Sequence, residues 1–167
     1  MSAGSTGAVL VGGQLVVGRI KGVERSPLAT LFPTEKGVSL LVDCGANVDV
    51  RSSHLVQFAK MGSVYMEHFV GVSNPKVAIV NNGAEEEKGN ALVKETFPLL
   101  KECGDINFTG SIEARDIPAG AADVIVCDGF VGNVILKLTR GFLQPGEGDQ
   151  EGHDELHERQ DRRRTGE

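Results

Sequence analysis

Apolar and polar positions alternate in blocks along this chain, and the blocks predict a succession of helices and strands. Ser2 to Lys21 reads as a helix opened by a Ser/Gly turn, with Val9, Leu10, Gln14, Val17 and Ile20 at three- and four-residue spacing. Leu28–Phe32 and Val38–Val42 are apolar runs parted by Pro33, Glu35, Lys36 and Gly37, the pattern of a strand pair. Ser52–Val70 returns to helical spacing through Leu55, Phe58, Ala59, Met61 and Tyr65. Asn74-Pro75 is a turn, and Lys76–Val80 is a buried strand. A helix is expected from about Glu86 to Glu102, kinked or ended by Pro98. Asp123–Cys127 is a further buried strand, followed by a helix from about Gly132. Strands and helices in alternation imply an α/β protein: a largely parallel sheet with flanking helices.

After Arg140-Gly141 the pattern stops. Residues 143–167 hold two leucines and no other large hydrophobe, too little apolar surface to offset the entropy of ordering. Residues 1–141 therefore read as the α/β part and 142–167 as an acidic disordered tail. Synonymous codon choice and loss of one base near residues 140–143 permit an alternative tail that is apolar and basic, with lysines at helical spacing. A frameshift is thus the sharper explanation of the break.

Composition narrows the field. The chain has 167 residues, enough for one core, and is rich in aliphatics and glycine, with one Tyr and no Trp. The net charge of −6 is uneven: residues 141–167 carry eight acids and four bases, leaving fifteen against thirteen elsewhere. No basic patch points to nucleic acid. Cys44, Cys103 and Cys127 form no C-x-x-C pair, which suits free thiols in a reducing compartment. With no signal sequence and no apolar run long enough for a membrane span, a cytoplasmic location is expected. His54 and His68 have no partner at metal-ligand spacing, and His153 and His157 lie in the tail, so no metal is expected.

Four Gly/Asn/Asp signatures carry the candidate chemistry. Ser2–Ala8 places hydroxyls and small residues at a helix start, where backbone amides attract an anion, although simple N-capping explains it as well. Asp43-Cys44-Gly45-Ala46-Asn47-Val48-Asp49 follows a strand; its carboxylates orient a substrate or close an Asx turn, and the spacing leaves both open. Asn81–Asn90 leaves the Lys76–Val80 strand with Gly83, three glutamates and Lys88, the natural cation for an anionic group. Its bland counterpart is a surface helix cap. Asp128-Gly129-Phe130-Val131-Gly132-Asn133 repeats that placement after the next strand. Loops at one edge of one sheet favour a shared site.

These four motifs, in this order, resemble the phosphate acyltransferase family of bacterial phospholipid synthesis (PlsX). The similarity covers residues 2 to about 139 and includes Gly18–Val23, Pro33-Thr34, His54–Ala59 and Met61–Tyr65. Ser5 stands where many members have Asn, and Ala84 where many have Thr. The resemblance implies a fold like phosphotransacetylases and isopropylmalate dehydrogenases, present here only in its middle portion, and a cytoplasmic homodimer. It implies transfer of a fatty acyl group from acyl carrier protein to inorganic phosphate, with no cofactor, metal or covalent enzyme intermediate. Asn47, Asp49, Lys88 and Asp128 become candidate catalytic groups. Ser2, Gly4, Ser5, Thr6, Gly83, Glu85, Asn90, Gly132 and Asn133 become candidates for holding phosphate and substrate. Members also touch the membrane through a helical hairpin after the Asp-Gly-Phe motif, a region missing here. Family chains are much longer, so the chain is expected to be an inactive piece. A short-chain phosphate acyltransferase using acyl-CoA and a non-enzymatic anion-binding dimerisation module are the alternatives.

Overall fold

The computed structural model describes residues 5–143; Ser2, Gly4 and the predicted tail from residue 144 onward lie outside them. The order is α1 (Thr6–Val16), β1 (Ala29–Thr34), β2 (Gly37–Val42), α2 (Ser52–Tyr65), β3 (Lys76–Val80), α3 (Ala91–Glu102), β4 (Asn107–Ile112), β5 (Val124–Val126) and α4 (Gly129–Leu143). The strands form one sheet in the order β1-β2-β5-β3-β4. β2, β5, β3 and β4 run parallel, and only the β1–β2 hairpin is antiparallel. The contacts divide the chain into two units after Asn133. The first holds the sheet, α1–α3 and the first residues of α4; the second contributes residues 134–143, the remainder of that helix.

The central strands are short and mostly apolar because helices and loops bury both their faces. Val124, Ile125 and Val126 are fully buried, as are Val77 and Ile79. One face packs on α2 and α3 through Leu55, Phe58, Ala59, Phe97 and Leu100. Gly62 lets α2 press onto β5, since a Cβ there would stand 2.6 Å from Val124 Cγ1. A π-helical turn, Met66–Val70, extends α2, and Gly71 at φ 85° ends it. Among the described residues no helix is long and apolar enough to cross a membrane.

Several expectations need correction. α1 stops at Val16 rather than Lys21, just ahead of Gly18 at φ 83°. α3 begins at Ala91, not Glu86, because Gly89 at φ 103° interrupts the chain and Asn90 Oδ1 accepts from the Val93 amide as the cap. The glutamates therefore precede the helix instead of filling its first turn. Pro98 lies inside an unbroken α3. α4 starts three residues earlier than expected, at Gly129. β4 was not anticipated at all. Its sequence, Asn-Phe-Thr-Gly-Ser-Ile, is half polar because it is an edge strand, with a register shift opposite Val77/Ala78.

Candidate functional site

β2, β5 and β3 are neighbours and parallel, so the loops after them emerge at the same sheet edge. Three of the four signatures are these loops. A cavity of about 360 Å³ opens above the carboxyl ends of β3 and β5, bounded by Asn81, Asn82, Gly89 and Asn90 on one side and Cys127 and Asp128 on another. Leu55, Ile79, Leu92, Val93 and Val131 give it an apolar wall. This is the crevice in which open α/β sheets bind ligands.

The 81–90 loop is shaped by Asn81. Its Nδ2 donates to Lys88 O at 3.2 Å and to Ser111 Oγ at 3.1 Å, while Oδ1 accepts from Asn82 N at 2.8 Å. Gly89 passes so close that a Cβ would lie 2.6 Å from Asn81 Oδ1. Gly83 lies beneath Glu85 and Lys88, its absent side chain leaving room for both. Lys88 Nζ reaches Glu85 Oε1 at 3.7 Å, and both side chains are half exposed above the loop. Lys88 and Glu85 thus neighbour the cavity without lining it.

The loop after β2 is organised by a fully buried carboxylate. Asp43 Oδ1 accepts from the amides of Leu28, Gly45 and Ala46 at 3.0–3.1 Å. Oδ2 accepts from the amide and the side-chain Nδ2 of Asn47, both at 2.7 Å. Asn47 Nδ2 also donates to Ser26 O at 3.0 Å. The Asn47 side chain therefore has both of its protons engaged within the fold. Asp49, exposed, lines a different and more polar cleft with Glu24, Arg25, Arg51 and His54. There His54 Nδ1 accepts from the Arg51 amide at 3.1 Å, so its proton resides on Nε2, 2.9 Å from Glu24 Oε2.

Asp128 lines the cavity and caps α4: its Oδ1 accepts from Phe130 N and Val131 N, each at 2.9 Å. Burial pushes the neighbouring Cys127 thiol well above its ordinary range, with the charges of Asp128 and Asp43 adding to the effect. Cys127 is buried in the cavity wall, where its Sγ donates to the Asp43 carbonyl at 3.4 Å. Gly132 and Asn133 lie behind the wall, against the Asp43 carbonyl and Gly45. Ser5 is an N-cap, its Oγ accepting from Ala8 N at 3.3 Å, and Thr6 opens the same helix. Ser5 does not line the cavity.

Of the predicted residues, then, Asn90 and Asp128 meet in one cavity. Gly83, Glu85 and Lys88 flank it, and Asn47, Gly132 and Asn133 support it from behind. Asp49 and Ser5 stand elsewhere. Asn81, Asn82, Cys127 and the apolar wall make up much of the cavity lining, and none of them was among the predicted site residues. For Asn81 and Asn82 the signal was the pair of asparagines directly following a buried strand.

A mostly parallel sheet with its cavity at the carboxyl edge defines the class: an open α/β protein. EutD phosphotransacetylase from Staphylococcus aureus shares this fold, with a TM-score of 0.65 at 18% identity over 84% of this chain and 49% of that one. The chain belongs to the fatty acid synthesis protein family, whose model matches residues 1–145. It is 59% identical over 142 residues to a phosphate acyltransferase of Alkaliphilus oremlandii, and 58% over 141 residues to one of Clostridium perfringens. A phosphate acyltransferase of Caldicellulosiruptor saccharolyticus is 51% identical over 142 residues. These matches cover 84–85% of this chain but only 42% of each relative. The chain spans less than half the length of the curated relatives it matches.

Proposed function

We propose that this protein is the central part of a phosphate acyltransferase that moves a fatty acyl group from the thioester of acyl carrier protein to inorganic phosphate. The two-sided cavity carries the reading. An amide-rich rim at the start of α3 suits a phosphate, because the first-turn amides and helix dipole attract an anion. The Leu55, Leu92, Val93 and Val131 wall suits the acyl portion of the thioester. An oxygen of hydrogen phosphate attacks the thioester carbonyl, the carbon–sulfur bond breaks, and the phosphate proton leaves with the thiol. Positioning the two reactants is the main contribution asked of the protein. Asn82 and the Nδ2 of Asn90 supply neutral donors for the developing oxyanion, and Lys88 supplies a cation at the rim.

Because the matched relatives are more than twice as long, residues 1–167 furnish the phosphate rim and acyl wall but not a complete centre. A chain extended to the relatives' length is expected to form acyl phosphate from acyl carrier protein thioester and phosphate, trapped as a hydroxamate with hydroxylamine. The 167-residue chain is expected to form none. No acyl phosphate from the extended chain sinks the reading. Preference for acetyl- or butyryl-CoA would move it to the short-chain class, and phosphate binding without thioester cleavage to an anion-binding module. Homodimerisation, cytoplasmic location and peripheral membrane contact of the full-length form belong to the same proposal.

The family match ends at residue 145, close to where the composition changes. That coincidence supports a frameshift near residues 140–143. The alternative nucleotide frame should then encode an apolar, basic helix, and a frame broken by stops would refute it.

A further inference from the structure

The loops after β2 and β5 are locked together at four points, all traceable to Asp43 or the turn it closes. Asp43 N donates to Cys127 O at 3.0 Å, and Gly129 N donates to Asn47 O at 2.8 Å. Cys127 Sγ donates to Asp43 O at 3.4 Å. A Cβ on Gly132 would fall 1.9 Å from that same carbonyl oxygen, and one on Gly129 would fall 2.7 Å from Asn47 O. The 43–47 turn is the surface against which the Cys127–Gly132 segment is laid. Cys127, Asp128 and Val131 from that segment line the cavity. Asp43 itself is fully buried and does not line it.

We propose that Asp43 is the positioning residue of the candidate site. Its carboxylate, by accepting five hydrogen bonds, fixes the 43–47 turn and thereby sets where Asp128 and the Cys127–Val131 wall stand. A carboxylate suits the place because all five partners are donors, which a neutral amide cannot match. The use of that wall in acyl transfer rests on the proposed function, whereas the coupling of Asp43 to the wall stands on the geometry alone.

The test compares the full chain with Asp43→Asn, the exchanged pair Asp43→Asn/Asn47→Asp, and a core control, Leu100→Val, in α3 away from both loops. Asp43→Asn turns an Nδ2 donor toward the Asn47 amide and side chain, while the exchange restores one complementary contact. The readouts are thermal midpoint and the rate of Cys127 alkylation by N-ethylmaleimide, located by peptide mass. The expected result is Cys127 alkylation about tenfold faster in Asp43→Asn than in Leu100→Val compared at equal margins below their midpoints. The exchanged pair should recover about threefold of that gain. Equal rates in Asp43→Asn and the control would overturn the proposal by reducing Asp43 to a general core contribution, and absence of recovery would overturn the pairing. Should Asp43→Asn not fold, Asn47→Ala removes one donor only and must still raise Cys127 reactivity above the control. Failure of acyl transfer leaves these rates untouched, so the two ideas fail separately.

Discussion

At the scale of single residues, the site is governed by where side chains are absent. Gly132 is the clearest case, with backbone occupying the space a Cβ would need. Ala there must move the Asp43 carbonyl or α4's first turn, because a 1.9 Å approach admits no relaxed geometry. Gly132→Ala is expected to cost more than about 3 kcal/mol, read as a fall in urea midpoint or loss of folded protein. Gly7, whose Cβ would meet open space in α1, offers the matched change; Gly7→Ala should be neutral or slightly stabilising. The motif Asp-Gly-Phe-Val-Gly-Asn displayed these glycines plainly. Nothing in it displayed the partner, Asp43, eighty-odd residues earlier in the chain.

Among the elements, α3 shows how a cap overrides composition. The glutamates at 85–87 suggested a helix start, yet the helix waits for Asn90, whose Oδ1 accepts the Val93 amide at 2.9 Å. The start of the helix places its first amides beside the cavity, so stability and site geometry depend on one side chain. Asn90→Ala should lower unfolding free energy by about 1 kcal/mol, while Asn90→Asp should retain most of it. Chemical denaturation of the three proteins checks this. Pro98 is carried without a break in α3, with Phe97 and Leu100 packed in the core and Phe97 set edge-on to Phe108 at 5.2 Å. Tertiary packing outweighs the lost backbone bond there.

For the whole molecule, burial is graded from the centre of the sheet to α1. β5, β3 and β2, with the inner faces of α2 and α3, hold fully buried residues, whereas Leu15 and Val16 of α1 are more than 80% exposed. Native-state hydrogen exchange should therefore be slowest at Val124–Val126 and Val77–Ile79 and fastest in α1. Protection of α1 equal to that of the sheet would show that this helix is held by contacts other than those of the described residues. The same gradient puts the cavity beside the most deeply buried strands, where the core would hold the proposed site in place.

The alternation of apolar runs with Gly/Asn/Asp loops was enough to specify a largely parallel α/β sheet, β2, β3 and β5, and the edge on which those loops gather. Those features are local: each depends on the period of a short segment and the turn chemistry beside it. β4 was hidden because an edge strand need not be apolar. The division of labour among Asn47, Asp49, Asn90 and Asp128 was hidden for another reason. An Asx turn, a helix cap and a catalytic carboxylate use the same residue types, and only their neighbours in space tell them apart. Folding brought Asn90 and Asp128 to one cavity, turned Asp49 to another cleft, and gave Asn47 to a buried carboxylate, because strand order, not sequence order, decides which loops touch.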